Sequence, residues 1–191
     1  PFGRIEIARE VFEVDVIINL PKLKTHTGML LTLGVKNLFG CIVGLKKPEW
    51  HLKSGIDREL FARLLVQICH AVNPSITIAD GILALEGQGP GKRGIPRPLA
   101  LLVGGRNAFA VDMAICTVLG LDPKELLTHK TAKKLKLASD EIYVNGHLNI
   151  VNDFKFPELR PLISGSKPLH KFMRKHMTQR PEIEDLLCNL C

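Results

Sequence analysis

The sequence predicts an α/β protein: a single domain whose mixed or mostly parallel sheet carries helices on both faces. Three observations lead there. Short runs rich in β-branched and aliphatic residues recur at 14–20 (VDVIINL), 75–79 (SITIA) and 99–103 (LALLV). Between and after them lie longer stretches with apolar residues at helical spacing, 57–72 and 107–119. Proline and glycine separate the two kinds of segment. Strands alternating with amphipathic helices fold as a sheet with helices against it.

Taken in order, the run at 14–20 is nearly all apolar and is closed by Pro21, which suits a strand buried on both faces. Residues 22–26 (KLKTH) then read as a loop leaving the strand end. The stretch 29–45 is apolar but holds Gly34, Gly40 and Gly44, so it reads as irregular with short helical turns, because glycine weakens a long helix. Residues 57–72 form a helix that Asn73-Pro74 stops. A second strand at 75–79 ends at Asp80, a glycine- and proline-rich loop fills 81–98, and a third strand follows at 99–103. The helix at 107–119 ends before Gly120. Asp122-Pro123 opens another helix, with aspartate as its cap and proline in its first turn. Residues 141–144 read as a short strand and 167–177 as a basic helix.

Hydrophobic residues make up 46 % and charged residues 24 % of the 191-residue chain, which permits a sizeable core. No apolar run approaches the roughly 20 residues of a membrane-spanning helix. The net charge is +7, with clusters at 129–136 and 167–180. Solvated helix faces account for these, and so does a docking surface for an acidic partner such as an electron-transfer protein. Nucleic acid fits less well, since the eight Phe, one Trp and one Tyr do not interleave with the basic clusters. Cys41, Cys69 and Cys116 sit alone in apolar segments, as buried small hydrophobes do. Five cysteines without framework spacing argue for a reducing, cytoplasmic compartment.

In open α/β sheets ligands gather at the carboxyl ends of strands, and the polar residues fall there. Lys22, Lys24 and His26 follow the first strand, Asp80 and Glu86 the second, Asp112 the third. Lys36-Asn37 stands inside an apolar stretch (VKNLFG), where an unpaired polar group must find a partner or line a cavity. Lys36, His26, Asp80 and Glu86 are therefore candidate catalytic groups. His51 and Asp112 could join them as ligands of a divalent metal. The loop EGQGPGKRG at 86–94 exposes backbone N–H groups at Gly87 and Gly89 beside Lys92 and Arg93, a resting place for an anion. It is no dinucleotide fingerprint, because Pro96 and Pro98 follow where a helix should open. His70 reads as a core histidine and His129 as a surface one.

The tail Cys188-Asn189-Leu190-Cys191 is a C-x-x-C, open to three readings: a redox pair, a zinc knuckle, or the start of a ferredoxin-type 4Fe–4S motif. The last is favoured, with residues 1–180 forming the α/β domain and 181–191 opening a truncated cluster domain.

Residues 16–44 (carrying IINLPKLKTHTGMLLTLGVKNLFGCIVG), 78–89 (IADGILALEGQG) and 111–123 (VDMAICTVLGLDP) together resemble the family called domain of unknown function 362. The resemblance implies a fused ferredoxin-type domain, with Cys188 and Cys191 as its opening, and lends no reaction. Two readings follow. In one, a redox-linked enzyme binds an anionic or metal-chelating ligand through Lys22, Lys24, His26, Lys36 and Asn37. In the other, a non-enzymatic electron-transfer or cluster-carrier subunit uses its α/β domain for docking.

Overall fold

The computed structural model describes residues 4–162, with 45, 56 and 148 excepted; the segment at 167–177 and the pair Cys188 and Cys191 lie outside the described residues. The strands are β1 (Ile18–Asn19), β2 (Lys22–His26), β3 (Leu30–Thr32), β4 (Ile76–Gly87) and β5 (Gly94–Gly105). The helices are α1 (Glu10–Glu13), α2 (Gly34–Asn37), α3 (Lys46–Ser54), α4 (Arg58–Val72), α5 (Ala108–Val118) and α6 (Leu127–Lys134), with short 3₁₀ turns at Leu38–Cys41 and Pro123–Glu125.

The five strands form one mixed sheet. β1 and β2 run in succession along one edge of β4, parallel to it. β5 runs antiparallel along the other edge, and β3 folds back antiparallel on β2. The α/β class, the single domain and the mixed sheet are as the sequence implies. Leu23, Ala79 and Ala84 of the sheet pack with Val111, Ile115 and Cys116 of α5. A second cluster joins Phe61, Leu65 and Cys69 of α4 to Phe39 and Trp50. α2 lies on the same face as α5, since a Cβ on Gly34 would strike both Thr77 and Asp112. On the opposite face Val16 (60 % exposed), Ile18, Leu20 (64 %) and Leu102 stand open among the described residues.

Capping explains why the two long helices were legible. The Asp57 side chain accepts from Leu60 N–H at 2.9 Å, and Asn73 ends α4 in the left-handed conformation. Asn107 accepts from Phe109 N–H and Ala110 N–H, and Gly120 follows α5 with φ +67°.

Several local expectations give way. Residues 22–26 are a strand, because β4 and β3 pair with them on either side. Most of the glycine- and proline-rich region 81–98 is also strand: β4 runs to Gly87 and β5 starts at Gly94. Pro96 and Pro98 are tolerated because β5 pairs with β4 alone, so its outer edge needs no N–H donors. The run at 14–20 contributes a strand of two residues with one exposed and one buried side chain. Residues 141–144 carry no strand. α3 was not anticipated, since Pro48 masks its apolar pattern.

Candidate functional site

β2 alternates. Leu23 and Thr25 are fully buried, Leu23 against α5, and Lys22, Lys24 and His26 alternate with them as the less buried side chains. Beyond His26 the chain turns tightly at Gly28, whose N–H donates to His26 Nδ1 at 3.0 Å. A Cβ on Gly28 would sit 3.2 Å from the His26 ring and 2.7 Å from Leu162, so glycine permits this approach. An Nδ1 that accepts must be unprotonated, which leaves the proton on Nε2. β3 then returns with Thr32 opposite Lys24 and Leu30 opposite His26, and opposed residues share a face. Thr32 is only 6 % exposed, and its hydroxyl has no hydrogen-bond partner among the described residues.

The next residues enter α2, which supplies Lys36 and Asn37. Its four-residue length cannot stabilise it alone. Asp112, buried on α5, holds its start: Gly34 N–H donates to Oδ1 at 2.7 Å and Val35 N–H to Oδ2 at 3.2 Å. Asn19 completes the frame. It donates to Gly34 C=O at 3.0 Å and to Thr77 Oγ1 at 3.2 Å, and accepts from Asn37 Nδ2 at 2.9 Å. Burial pushes the Asp112 carboxyl up to about 7, against the pull of its two N–H donors.

Held this way, Lys36 lies near enough for its charge to act on His26 and His51, and for Lys24 to act on it. Burial brings the Lys36 ammonium down to about 8, helped by the charge of Lys24. Burial brings His26 down to about 3, with Lys36, His51 and Lys24 adding to the fall. His51, on α3, is lowered by burial and by Lys36. Its ring lies 4.5 Å from that of Phe61 and 5.5 Å from that of Phe39, and its Nδ1 is buried without a hydrogen-bond partner among the described residues. Among the described residues, no carboxylate contributes to any of these three shifts. The cluster can therefore attract an anion, and it keeps Lys36 close to a protonation midpoint near neutral pH.

The remaining candidates go elsewhere. Asp80 pairs with Lys22 at 2.7 Å on the open face, and that hydrogen bond holds its carboxyl below the usual range. Glu86, 3 % exposed, accepts from Lys155 N–H at 3.2 Å, while Gly87 N–H donates to Lys155 C=O at 2.7 Å; both anchor a later stretch of chain. Neither Asp80 nor Glu86 is among the charges acting on His26 or Lys36, so the four groups read as catalytic do not form one constellation. Gly89 presses on Thr25, where a Cβ would come within 2.5 Å of its carbonyl oxygen. Its loop flanks the cluster: Thr27 N–H donates to Gly89 C=O at 3.2 Å. Lys92 and Arg93 are exposed at the tip of that loop. Asp112 commits both oxygens to α2, and His51 belongs to the basic cluster. No group of three or more His, Cys, Asp or Glu is placed to hold a metal among the described residues. Cys69 and Cys116 are buried and Cys41 half-buried; burial pushes the Cys69 thiol up to about 12. His70 is exposed and His129 buried, the reverse of expectation.

Sequence reasoning missed Thr32, Asn19, Thr77 and Gly28. Asn19 alone left a trace, as a polar residue inside an apolar strand. Thr32 acquires its meaning only from the β2–β3 register.

Fold and cluster define an α/β domain that gathers half-buried basic side chains, unopposed by carboxylates among the described residues, at the carboxyl end of a parallel strand. The chain belongs to the family described as Domain of unknown function (DUF362), whose model matches residues 1–117, a stretch that includes the basic cluster and Asp112. It is 38 % identical over 181 residues to the thylakoid-associated protein sll1697 of Synechocystis sp.. That match covers 92 % of this chain and 56 % of the relative, so the chain spans a little more than half of the relative's length. No solved structure is significantly similar.

Proposed function

We propose that the domain binds a small anionic ligand at Lys24, His26, Lys36 and His51, within a redox-linked iron–sulfur protein. One observation carries the binding site: two half-buried lysines and two histidines lie near one another with no carboxylate of the described residues acting on them. Proteins neutralise buried charge unless something else is to do so. Replacing Lys36 with methionine tests it. Isothermal titration with inorganic phosphate should show affinity lowered at least about tenfold, the order expected for loss of a charge-assisted contact, with the urea midpoint kept. Unchanged affinity would remove the site.

The iron–sulfur link rests on the spacing of Cys188 and Cys191. They would supply two thiolates to a cluster, whose chemistry is electron transfer. The described cysteines do not fit that role, since none joins a group of three or more ligand side chains among the described residues. Iron and acid-labile sulfide in equal amounts in the purified native polypeptide would support the link, and their absence from anaerobically prepared protein would refute it. Cysteine usage supports a reducing compartment, the cytoplasm. No helix among the described residues is long and apolar enough to cross a membrane, and the relative's name associates that protein with thylakoids.

A second reading, a docking module of an electron-transfer or cluster-carrier subunit, is favoured by the open apolar face at Val16, Ile18, Leu20 and Leu102. Polar substitution on that face would then abolish partner capture while leaving anion affinity intact.

A further inference from the structure

We infer that residues 151–162 act as a strap that locks the turn after β2, and that Arg160 and Leu162 on it are positioning residues for His26. The inference rests on the anion-binding reading above and adds what keeps one of its groups in place.

The stretch forms neither helix nor strand, so its place is set by what it touches. Val151 N–H donates to Val118 C=O at the end of α5, at 2.7 Å. Phe154 and Phe156 meet edge to face, 5.3 Å apart, and pack with the α5 cluster. Lys155 bonds to Glu86 and Gly87 at the end of β4, and Arg97 donates to both Asp153 oxygens. The chain then crosses to the α4 cluster, where Leu162 packs. Arg160 C=O accepts from Arg58 Nη2 at 2.9 Å, at the start of α4.

The strap ends on the turn. Arg160 N–H donates to Thr27 C=O at 2.7 Å, while Thr27 N–H donates to Gly89 C=O at 3.2 Å. Thr27 is thus held on both sides by segments far along the chain. Leu162 lies where glycine alone fits beside it, since a Cβ on Gly28 would come within 2.7 Å of its Cδ2. Gly28 N–H in turn donates to His26 Nδ1, which leaves the ring proton on Nε2. By itself the turn has the bond from Met29 N–H to His26 C=O and a glycine free to adopt many conformations. The strap supplies the constraint that the turn lacks.

Arg160→Pro tests the lock, because it deletes the N–H that reaches Thr27. Arg160→Ala removes the guanidinium and keeps that bond. Imidazole nitrogen NMR of the full chain reads the His26 tautomer and its protonation midpoint, which burial lowers first, then Lys36 on α2, His51 on α3 and Lys24 on its own strand. In the wild type and Arg160→Ala the neutral ring should hold the Nε2–H tautomer alone. In Arg160→Pro it should populate both tautomers, its midpoint should rise by at least about one unit, and inorganic phosphate should bind about fivefold more weakly by calorimetry. Leu162→Ala loosens the same contact without altering the backbone and should shift the ring in the same direction, so the test survives a proline that fails to fold. An unchanged His26 tautomer and midpoint in Leu162→Ala and in folded Arg160→Pro would overturn the inference, and so would equal effects of Arg160→Ala and Arg160→Pro. A His26 shift in a protein that binds no phosphate would remove the anion-binding reading and leave the lock standing.

Discussion

Two polar clusters meet at α2, and they are built on opposite principles. On one side Asn19, Thr77, Asn37, Gly34 and Asp112 satisfy one another almost completely, with five hydrogen bonds between 2.7 and 3.2 Å. On the other, the ammonium groups of Lys24 and Lys36 repel beside two imidazoles whose protonation is disfavoured, and Thr32 Oγ1 and His51 Nδ1 have no partner among the described residues. A buried polar group costs stability unless it is bonded. The first cluster is therefore a fastening, and it is what obliges the second to stay together. A four-residue helix without its cap would let Lys36 retreat to solvent.

The largest effect that should expose this contrast is Asp112→Ala. It strands two buried N–H donors and should lower unfolding free energy by about 3 kcal/mol in urea titration. A loss under about 1 kcal/mol would show that α2 does not depend on Asp112. Lys36→Met should have the opposite sign, leaving stability unchanged or raising it by up to about 1 kcal/mol, because a half-buried charge is removed. A clear loss would mean that Lys36 belongs to the fastening instead.

The pH dependence sharpens the comparison further. Folding holds His26 neutral down to about pH 3, whereas an unfolded histidine takes its proton near 6.5. Its contribution to stability is therefore complete above 6.5 as the neutral form and falls away as pH drops from 6.5 to 3. Lys36 behaves alike at the alkaline end, with stability rising from pH 8 to 10.5. Asp112 runs the other way: the folded carboxyl keeps a proton up to about 7 against 3.8 when unfolded, so stability falls as pH rises from 3.8 to 7. His26→Asn retains an acceptor for Gly28 N–H and removes the titrating ring. Its urea midpoint should decline less than that of the wild type between pH 6.5 and 4, and parallel curves would contradict a buried neutral His26. The smallest effect belongs to the open face. Leu20→Ser should change stability by no more than about 0.5 kcal/mol, and a larger loss would mean that something covers Leu20.

The legible parts were those whose causes are local. α4 and α5 announced themselves through 3.6-residue periodicity and through Asp57, Asn73, Asn107 and Gly120, all close in sequence to what they cap. Lys36-Asn37 drew notice because charge in an apolar run demands an explanation. Much of 81–98 escaped because glycine and proline favour turns locally, while its pairing with a distant partner strand decided otherwise. Asp80 and Glu86 were misgrouped for a related reason. Both follow the same predicted strand, yet β4 continues through them: one reaches the open face and Lys22, the other the buried face and Lys155.

By itself, then, the sequence determined the α/β class, the long helices with their ends, and the presence of basic groups where an apolar stretch should have none. The tertiary structure decided which of those groups meet. Helix periodicity and capping act over a few residues, so a linear reading captures them. The bond from Gly34 to Asp112 joins residues 78 positions apart, and the pairing of Thr32 with Lys24 depends on strand register. Neither has a local signature, because each becomes favourable only after the surrounding core has excluded water.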